Sequence, residues 1–403
     1  MKYVILLGDG MADRPLAELG GKTPLEAART PNMDRIAGTG LVGLVDTIPE
    51  GLQPGSDVAN LSVLGYDPRL VYSGRGPLEA ANMGVRLDPE DVAFRCNLVT
   101  LGGDGLDIMD SYSAGHIGTD EAAEIIADLQ RALGNAEFRF HPGISYRHLL
   151  VWKGGNASLL TTPPHDITGH NAASRLPKGD GEEAVLRLMR SAAPVLKDHP
   201  VNRRRTVNGK KPANSIWPWG QGHAPRIVPL TETYGLRGGM ISAVDLLNGM
   251  GVYAGLKVIR VEGATGFTDT NYIGKAEKAL DALKEMDFIF VHVEAPDEMG
   301  HAGDIEGKIK AIEDFDEKVV GTVLKGLETL KPYRVMVLSD HPTPISIRTH
   351  SSEPSPFAVL SSEDNENPCL GASYSESEGR KSGILLSPGH HLMERFIRGR
   401  LHA

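Results

Sequence analysis

The sequence predicts an α/β protein built on a doubly wound, mostly parallel sheet, with a smaller α+β domain inserted into it. Three observations support this prediction: apolar runs that do not alternate with polar residues, amphipathic helical patterns between those runs, and a middle region rich in Pro, Gly and Asn. Uninterrupted apolar runs are typical of strands that are buried on both faces of a parallel sheet. A chain of 403 residues is also long enough for one large domain or two.

Three of the apolar runs end in carboxylate or imidazole side chains. The run "YVILLGDG" ends in Asp9, "DFIFVHVEAPD" ends at Asp297, and "RVMVLSDH" ends in Asp340 and His341. Because doubly wound folds bind ligands at the carboxyl ends of their strands, we expect these side chains to lie at one edge of the sheet. Two amphipathic helices are predicted near these runs, at 271–286 and 308–330.

The middle of the chain has a different pattern, in which strands and a helix alternate with irregular segments. The predicted elements are two strands and one helix, at 91–101, 145–155 and 119–133. We therefore expect residues 85–225 to form the inserted α+β domain. Residues 1–84 and 226–403 are then expected to form the discontinuous sheet domain.

Composition and charge exclude several classes of protein. A net charge of −10 argues against a general nucleic-acid binder, which needs a basic face to displace counterions. Two cysteines are too few for a disulfide framework or a cysteine-based zinc site, and they fit a reducing cytoplasm. Asp9 interrupts the apolar N-terminal run, and no apolar stretch reaches the length of a membrane span. We expect a cytoplasmic protein that binds neither nucleic acid nor membrane; a homo-oligomer remains open.

Carboxylate and imidazole donors near the predicted strand ends indicate a metal site. The candidates are Asp9, Asp297, His301, Asp340, His341 and His350. Six donors are too many for one tetrahedral ion and suit two divalent cations, with Mn²⁺ and Zn²⁺ favoured and Mg²⁺ and Co²⁺ also open. Each residue alone has an ordinary alternative, as a core or surface histidine or as a carboxylate that caps a loop. Adjacent strand residues point to opposite faces, so Asp340 and His341 can bind together only beyond the strand, which the following "PTP" ends.

Ser56 is the candidate nucleophile. Pro54 and Gly55 predict a turn, and Ser56 stands where a helix N-cap is expected, before "DVANLSVLG". A capping serine is the simpler interpretation. A helix N-terminus also suits a phosphoryl group, and a metal ion next to the hydroxyl would lower its pKa, so the two interpretations are compatible.

A phosphorylated substrate would also need cationic side chains. Arg75 lies between two glycines in "SGRGP", which leave room for a ligand to approach closely. Arg95, Arg147 and Lys257 are further candidates. The alternative for each of them is an ion pair at the surface.

Seven segments resemble one known family, the archaeal-type cofactor-independent (2,3-bisphosphoglycerate-independent) phosphoglycerate mutases of the alkaline phosphatase superfamily. They occur in the order of that family along nearly the whole chain: "GDGMADRP", "TPNMD", "PGSDVANLSVLGYDP", "GRGPLEA", "EGATG", "EAPDEMGH" and "SDHPTP". The resemblance implies an alkaline-phosphatase-like sheet domain, two divalent metal ions and a small phosphorylated substrate.

The resemblance also implies roles for individual residues. Asp297, His301 and His350 would hold one metal ion. The other would be held by Asp9, Asp340, His341 and the Ser56 oxygen. Ser56 would accept the phosphoryl group of 3-phosphoglycerate, and the second hydroxyl of glycerate would take it back to give 2-phosphoglycerate. The inserted domain would bind the glycerate end and close over it. Pro296 would then fix the exit of the strand, and Gly300 would allow the chain to turn.

Two positions of the insert depart from the family pattern. His116 stands in "SAGHIGT" where members carry arginine, and Trp219 stands in "IWPWGQG" near another such position. The segment "TPPHDITGH" offers His165, Asp166 and His170 instead, which suit an amino or hydroxyl group. The phosphoryl acceptor therefore stays open, and a related phosphotransferase such as a homoserine kinase, or a phosphatase, is the alternative. The sequence contains no G-x-x-x-x-G-K loop for ATP, and a non-catalytic metal-binding protein is the third hypothesis.

Overall fold

The computed structural model describes residues 1–363 and 371–399. Its strands are β1 (Lys2–Gly8), β2 (Leu41–Val45), β3 (Val92–Gly102), β4 (Ile108–Ser111), β5 (Phe138–His141), β6 (Arg147–Trp152), β7 (Ser215–Gly222), β8 (Gly238–Ile241), β9 (Lys257–Val258), β10 (Phe288–Val293), β11 (Tyr333–Leu338), β12 (Ser355–Ser361) and β13 (Leu385–Leu386).

The helices alternate with these strands along the chain. They are α1 (Pro24–Ala27), α2 (Pro31–Thr39), α3 (Ser56–Val63), α4 (Pro68–Val71), α5 (Arg75–Asn82), α6 (Thr119–Leu133), α7 (Glu182–Lys197), α8 (Pro200–Val207), α9 (Leu230–Tyr234), α10 (Asp245–Tyr253), α11 (Tyr272–Leu283), α12 (Ala295–Ala302), α13 (Ile305–Asp314), α14 (Gly321–Leu327), α15 (Glu376–Lys381) and α16 (Leu392–Arg398). Short 3₁₀ helices lie at Ala17–Leu19, Pro164–Ile167, Ala173–Arg175 and Gly389–His391, and a π-helix lies at Phe315–Val320.

The chain folds as two compact units. The first contains Met1–Tyr72 and Arg226–Ala403, and the second contains Ser73–Pro225. The first unit is built on an eight-stranded sheet in the order β13-β2-β12-β11-β1-β10-β8-β9. All its pairs are parallel except those that β12 makes with β11 and β2. The prediction of a mostly parallel α/β sheet is therefore confirmed.

The second unit is an antiparallel sheet packed against helices. Strand β3 pairs with β4, β6 and β7, and β5 pairs with β6. The amphipathic helices α6 and α7 bury their apolar faces with these strands in one core. Helix α5 contributes Ala80 to a smaller cluster with Ala93, Leu149 and Val151. Because α5 packs on this sheet, the second unit begins at Ser73, whereas the sequence suggested 84/85.

The segment predicted as one helix at 308–330 is three segments in the structure, because a π-helix at Phe315–Val320 separates α13 from α14. Phe315, Val319 and Val320 are all buried, so the apolar periodicity continues across the π-turn and does not reveal it. The carboxylate of Asp316 in this turn accepts hydrogen bonds from the backbone N–H groups of Asn32 and Met33, at 3.1 and 2.7 Å. The altered winding thus brings a carboxylate to the start of α2.

A buried carboxyl group gives the first unit a pH-dependent stability. Glu376 is 3% exposed and accepts hydrogen bonds from Asp13 N at 3.0 Å and Thr23 Oγ1 at 2.9 Å. Burial raises the pKa of Glu376 from 4.5 to about 7. The folded state therefore favours the protonated form more than the unfolded chain does.

We expect the free energy of unfolding to fall as pH rises from 4.5 to about 7. A carboxyl group with a raised pKa contributes stability below its unfolded value of 4.5, and this contribution is lost as pH rises through about 7. Relative to Glu376→Gln, which keeps an acceptor and a donor, the wild type should lose about 3 kcal/mol between about pH 4 and pH 8. Urea unfolding of both proteins at a series of pH values measures this difference. If the free energy of unfolding had the same pH dependence in both proteins, the prediction would be contradicted.

Candidate metal centre

The loops that follow β1 and β11 carry half of the predicted donors. Strand β1 ends at Gly8, immediately before Asp9. Strand β11 ends at Leu338, so Asp340 and His341 lie beyond its regular geometry and their side chains converge. These three side chains are almost completely buried, and each offers a donor atom within 4.8 Å of the others.

Asp297 and His301 lie on a helix, which corrects the sequence-based interpretation of a strand end. Strand β10 ends at Val293, and α12 contains both residues, so their spacing of four places them on one helix face. Pro296 is the second residue of this helix and does not fix a strand exit. Gly300 lies inside the helix and makes no turn; a Cβ there would lie 2.6 Å from Thr343 O, so glycine permits close packing of the loop after β11.

The six donors form two neighbouring triads. We call Asp297, His301 and His350 the first triad, and Asp9, Asp340 and His341 the second. Within each triad the donor atoms all lie within 4.8 Å of one another. The triads are adjacent, because the ring centroids of His341 and His350 are 4.3 Å apart.

Ser56 lies at the second triad. Its Oγ is 3.1 Å from His341 Nε2 and 3.3 Å from Asp9 Oδ2. The expected N-cap role is wrong, because Gly55 is the N-cap and Ser56 is the first residue of α3. The serine hydroxyl is directed at the donors Asp9 and His341, and its role as a nucleophile stays a prediction.

The three histidines of the triads are oriented by hydrogen bonds from their Nδ1 atoms. Each Nδ1 faces an oxygen acceptor, which leaves each Nε2 directed at the carboxylates. The acceptors for His301, His350 and His341 are Arg348 O, Pro54 O and Thr343 Oγ1, at 3.0, 3.4 and 3.3 Å, respectively.

This orientation fits divalent cations. His301 Nε2 and His350 Nε2 are 3.0 Å apart and both lie within 3.5 Å of Asp297 oxygens. Two imidazole lone pairs at that distance repel each other unless a proton or a cation lies between them. Mixed imidazole and carboxylate donors with a fixed tautomer are the ligands that transition-metal ions and Zn²⁺ take in proteins.

Electrostatics of the centre also favour bound cations. Burial, together with the nearby charges of Asp340 and Asp297, raises the pKa of Asp9 well above its ordinary value. Burial opposes ionisation of Asp297 as well, but its hydrogen bonds with His301 and His350 hold the pKa of that carboxyl well below its usual range. The same hydrogen bond raises the pKa of His301 to about 9. Without cations, protons would therefore have to offset the clustered carboxylates.

Further residues that the sequence did not reveal support these donors. His292 Nε2 lies 2.8 Å from Asp9 Oδ2. On the other side of the ring, His292 Nδ1 lies 3.2 Å from Ser242 Oγ, which also accepts a hydrogen bond from Val244 N at 3.0 Å. Burial lowers the pKa of His292 to about 3, so the ring is neutral. Only its place in a strand that leads to donors could have identified His292.

Asn60 and Thr343 hold other donors in place. Asn60 lies one turn after Ser56 and donates from Nδ2 to Asp340 Oδ2, at 2.8 Å, and to Ser56 O, at 2.9 Å. Thr343 Oγ1 donates to Asp297 Oδ1 at 2.5 Å and lies 3.3 Å from His341 Nδ1. Thr343 therefore links the two triads.

Lys257 does not join the centre, which corrects its assignment as a phosphate ligand. It lies on edge strand β9, where it pairs with Gly239 of β8. In the same row of the sheet, Gly239 pairs with Ile289 of β10, and Ile289 pairs with Val4 of β1. Val4 precedes Asp9 by five residues of extended chain, or about 16 Å. Lys257 is thus near the amino ends of the strands, whereas the triads are at the carboxyl ends.

The remaining predicted substrate residues belong to the second unit, where most of them form one cluster. Arg95 lies over the Trp219 ring with 4.5 Å to the centroid, and the His165 and Trp219 centroids are 5.3 Å apart. Tyr112 and Tyr146, which the sequence did not single out, complete the cluster by edge contacts with His116 and with each other. We call these residues, with Arg147 over Tyr146, the aromatic cluster.

The charges of the aromatic cluster are partly offset. Arg95 Nε lies 3.0 Å from Glu79 Oε1, and burial lowers the pKa of this guanidinium. His165 Nε2 is 3.5 Å from exposed Asp166, while burial lowers the pKa of the imidazole. Arg75 opens α5 of the same unit. The cluster thus combines aromatic and imidazole rings with the guanidinium groups of Arg95 and Arg147.

A separate observation concerns membranes. Among residues 1–363 and 371–399, none of the helices combines the length and the apolar character that crossing a bilayer requires.

Comparison with known proteins gives one consistent result. A family model described as 2,3-bisphosphoglycerate-independent phosphoglycerate mutase matches residues 37–202. A Geobacter sulfurreducens protein named probable 2,3-bisphosphoglycerate-independent phosphoglycerate mutase is 54% identical over 398 residues, which cover 98% of this chain and 100% of the relative. A Methanosarcina barkeri protein with the same name, without "probable", is 52% identical over 402 residues, covering 99% and 100%.

Solved structures agree with the fold. A protein from Pyrococcus horikoshii has a TM-score of 0.82 at 30% identity, and the match covers 98% of this chain and 96% of that one. A cofactor-independent phosphoglycerate mutase from Thermoplasma acidophilum has a TM-score of 0.68 at 27% identity, with 99% of each chain covered.

Proposed function

Because the chain belongs to the family of 2,3-bisphosphoglycerate-independent phosphoglycerate mutases, we propose that it interconverts 3-phosphoglycerate and 2-phosphoglycerate through a phosphoserine at Ser56. The observation that carries the proposal is the Ser56 hydroxyl, which lies 3.1 Å from His341 Nε2 at the edge of two adjacent donor triads. A purely structural role of Ser56 would not explain why six potential metal ligands converge beside it.

The residues of the first unit supply what phosphoryl transfer requires. When bound by the two triads, divalent cations supply positive charge that acidifies the Ser56 hydroxyl and offsets the charge of the transferring group. Asn60 and His292 hold Asp340 and Asp9, and thereby fix the direction from which Ser56 Oγ approaches phosphorus. The N-terminal turn of α3 directs backbone N–H groups and the positive end of the helix dipole toward the same group.

The reaction balances within the substrate. Ser56 Oγ loses its proton and forms a bond to phosphorus as the bond to the glycerate oxygen breaks, and that oxygen takes up a proton. The other glycerate hydroxyl then loses its proton as it takes phosphorus back, and Ser56 Oγ is protonated again. Water must be excluded between the two steps, since hydrolysis of the phosphoserine would turn the mutase into a phosphatase.

The aromatic cluster of the second unit is proposed to bind the glycerate part of the substrate. His116, His165 and Arg147 offer hydrogen-bond donors beside the broad apolar faces of Trp219 and Tyr146. Arg95 and Arg147 are proposed as the cations of the cluster that meet the carboxylate. The cytoplasmic location, the homo-oligomeric state and the choice of Mn²⁺ or Zn²⁺ stay predictions.

An enolase-coupled assay tests the proposed function. Metal-loaded protein should convert 3-phosphoglycerate without added 2,3-bisphosphoglycerate, and a chelator should stop the reaction. In the same assay His165→Gln should raise KM by about tenfold with little change in kcat, as expected for loss of one substrate hydrogen bond. Phosphorylation of homoserine from ATP, without mutase turnover, would instead identify the kinase alternative and overturn the proposal.

A further inference from the structure

A buried lysine lies behind the metal centre and touches none of its donors. Lys308 is on α13 and is 0% exposed. Its ammonium group donates to three oxygens: Asp13 Oδ2 at 2.8 Å, Thr343 O at 2.8 Å and Ala12 O at 3.3 Å. An ammonium group has three protons, so the bonding capacity of Lys308 is fully used.

These three acceptors belong to the two loops that carry the second triad. Ala12 and Asp13 follow Asp9 after β1, and Thr343 follows His341 after β11. The loops also bond to each other near Lys308, since Thr343 N donates to Ala12 O at 3.1 Å and Ile345 N donates to Asp13 Oδ2 at 3.1 Å. Lys308 therefore connects both loops to helix α13 at one point, which we call the junction.

The junction extends to the first triad through a single residue. The Thr343 carbonyl accepts from Lys308, while the Thr343 hydroxyl donates to Asp297 Oδ1 and lies next to His341 Nδ1. A shift of Thr343 would thus move a donor of each triad. Gly300 packs against the same carbonyl, with no room for a Cβ, so α12 holds Thr343 from the other side.

A purely structural role explains this lysine poorly. Burying an ion pair costs desolvation energy that an apolar pair of the same volume avoids, and such replacements are often neutral or stabilising. The Lys308–Asp13 pair is completely buried, with both side chains at 0% exposure. What an apolar side chain cannot do is hold two backbone carbonyls and a carboxylate from separate loops at fixed positions.

We propose that Lys308 is a positioning residue that fixes the spacing between the two metal-binding triads, so that two cations bind as a pair beside Ser56. The inference rests on the proposed function in one respect, namely that the triads bind metal. It concerns a residue whose ammonium group bonds to Ala12, Asp13 and Thr343 and to none of the six metal donors.

The test compares Mn²⁺ binding by variants of the full chain. Lys308→Met removes the three donors but leaves Asp13 as a buried unpaired charge. Lys308→Met/Asp13→Asn removes that charge and keeps an acceptor for Ile345 N, so it separates positioning from folding. Arg205→Met is the matched control, because Arg205 is also a buried cation, bonded to Ala114 O, Lys211 O and Glu121 in the second unit.

Calorimetric titration with Mn²⁺ and low-temperature electron paramagnetic resonance give the readouts. We expect Kd for Mn²⁺ to rise by about 10- to 100-fold in both Lys308 variants, as for other residues that orient metal ligands. The exchange-coupled Mn²⁺ pair signal of the wild type should be lost or altered in them. Arg205→Met should keep the wild-type Kd and spectrum even where its melting temperature falls.

Two outcomes would overturn the inference, and they are distinguishable. Wild-type Mn²⁺ affinity and spectrum in the folded double variant would show that Lys308 serves the fold alone, with the proposed function unaffected. Absence of Mn²⁺ binding by the wild type would overturn the inference together with the metal-dependent reaction. If Lys308→Met alone fails to fold, the double variant decides.

Discussion

Replacing Ser56 with alanine is expected to reduce kcat of the mutase reaction by about 10⁴-fold or more, because the phosphoryl group then has no covalent acceptor. The hydroxyl is the only group removed, and Asp9 and His341, its neighbours at 3.3 and 3.1 Å, remain in place. Incubation with radiolabelled 3-phosphoglycerate should label the wild type on Ser56 and leave the variant unlabelled. The enolase-coupled assay measures the rate.

Ser62→Ala is the matched control for this experiment. Ser62 is also buried on α3, but its hydroxyl donates to Thr47 O at 2.6 Å and not to a donor atom of either triad. This variant should keep its activity, and the metal content of both variants should be measured so that lost metal is not mistaken for lost chemistry. Residual turnover of Ser56→Ala above about 1% of wild type would show that another group accepts the phosphoryl.

The sequence could predict the edge of the sheet at which the centre lies. Apolar runs without alternation mark buried parallel strands, and the residues directly after β1 and β11 must lie at one edge because parallel strands share their direction. Asp9, Asp340 and His341 followed from that geometry alone. Ser56 followed from turn residues before a helix, although the cap itself is Gly55.

Features that depend on packing between distant segments could not be predicted from the sequence. Asp297 and His301 are predicted at a strand end because, of the three residues between β10 and Asp297, only Pro296 indicates a helix start. Lys257 was misassigned because a single cation carries no information on which end of a strand it occupies. The burial of Lys308 could not be predicted, because a lysine in an amphipathic pattern is expected on the solvent side of the helix.

Removing the divalent cations should destabilise the chain as well as inactivate it. Ligand linkage gives about 2.7 kcal/mol for each site at a metal concentration of 100 times Kd, so two saturated sites contribute about 5 kcal/mol. Chelation also leaves the buried carboxylates of Asp9, Asp297 and Asp340 to repel one another. Urea unfolding with Mn²⁺ and with chelator, at one pH, measures the difference, and identical midpoints would contradict metal binding by the triads.

The difference in free energy of unfolding between the metal-loaded and the chelated protein should increase with pH. In the chelated protein the hydrogen bond with Asp297 raises the pKa of His301 from 6.5 to about 9, so its contribution to stability is complete below 6.5 and is lost as pH rises through about 9. In the loaded protein the cation takes the position of that proton, and binding strengthens as proton competition declines. Chelated His301→Gln should lose the fall in stability between these pH values. A constant difference in the wild type would mean that His301 Nε2 does not exchange a proton for a cation, and the first triad would then have to be excluded as a metal site.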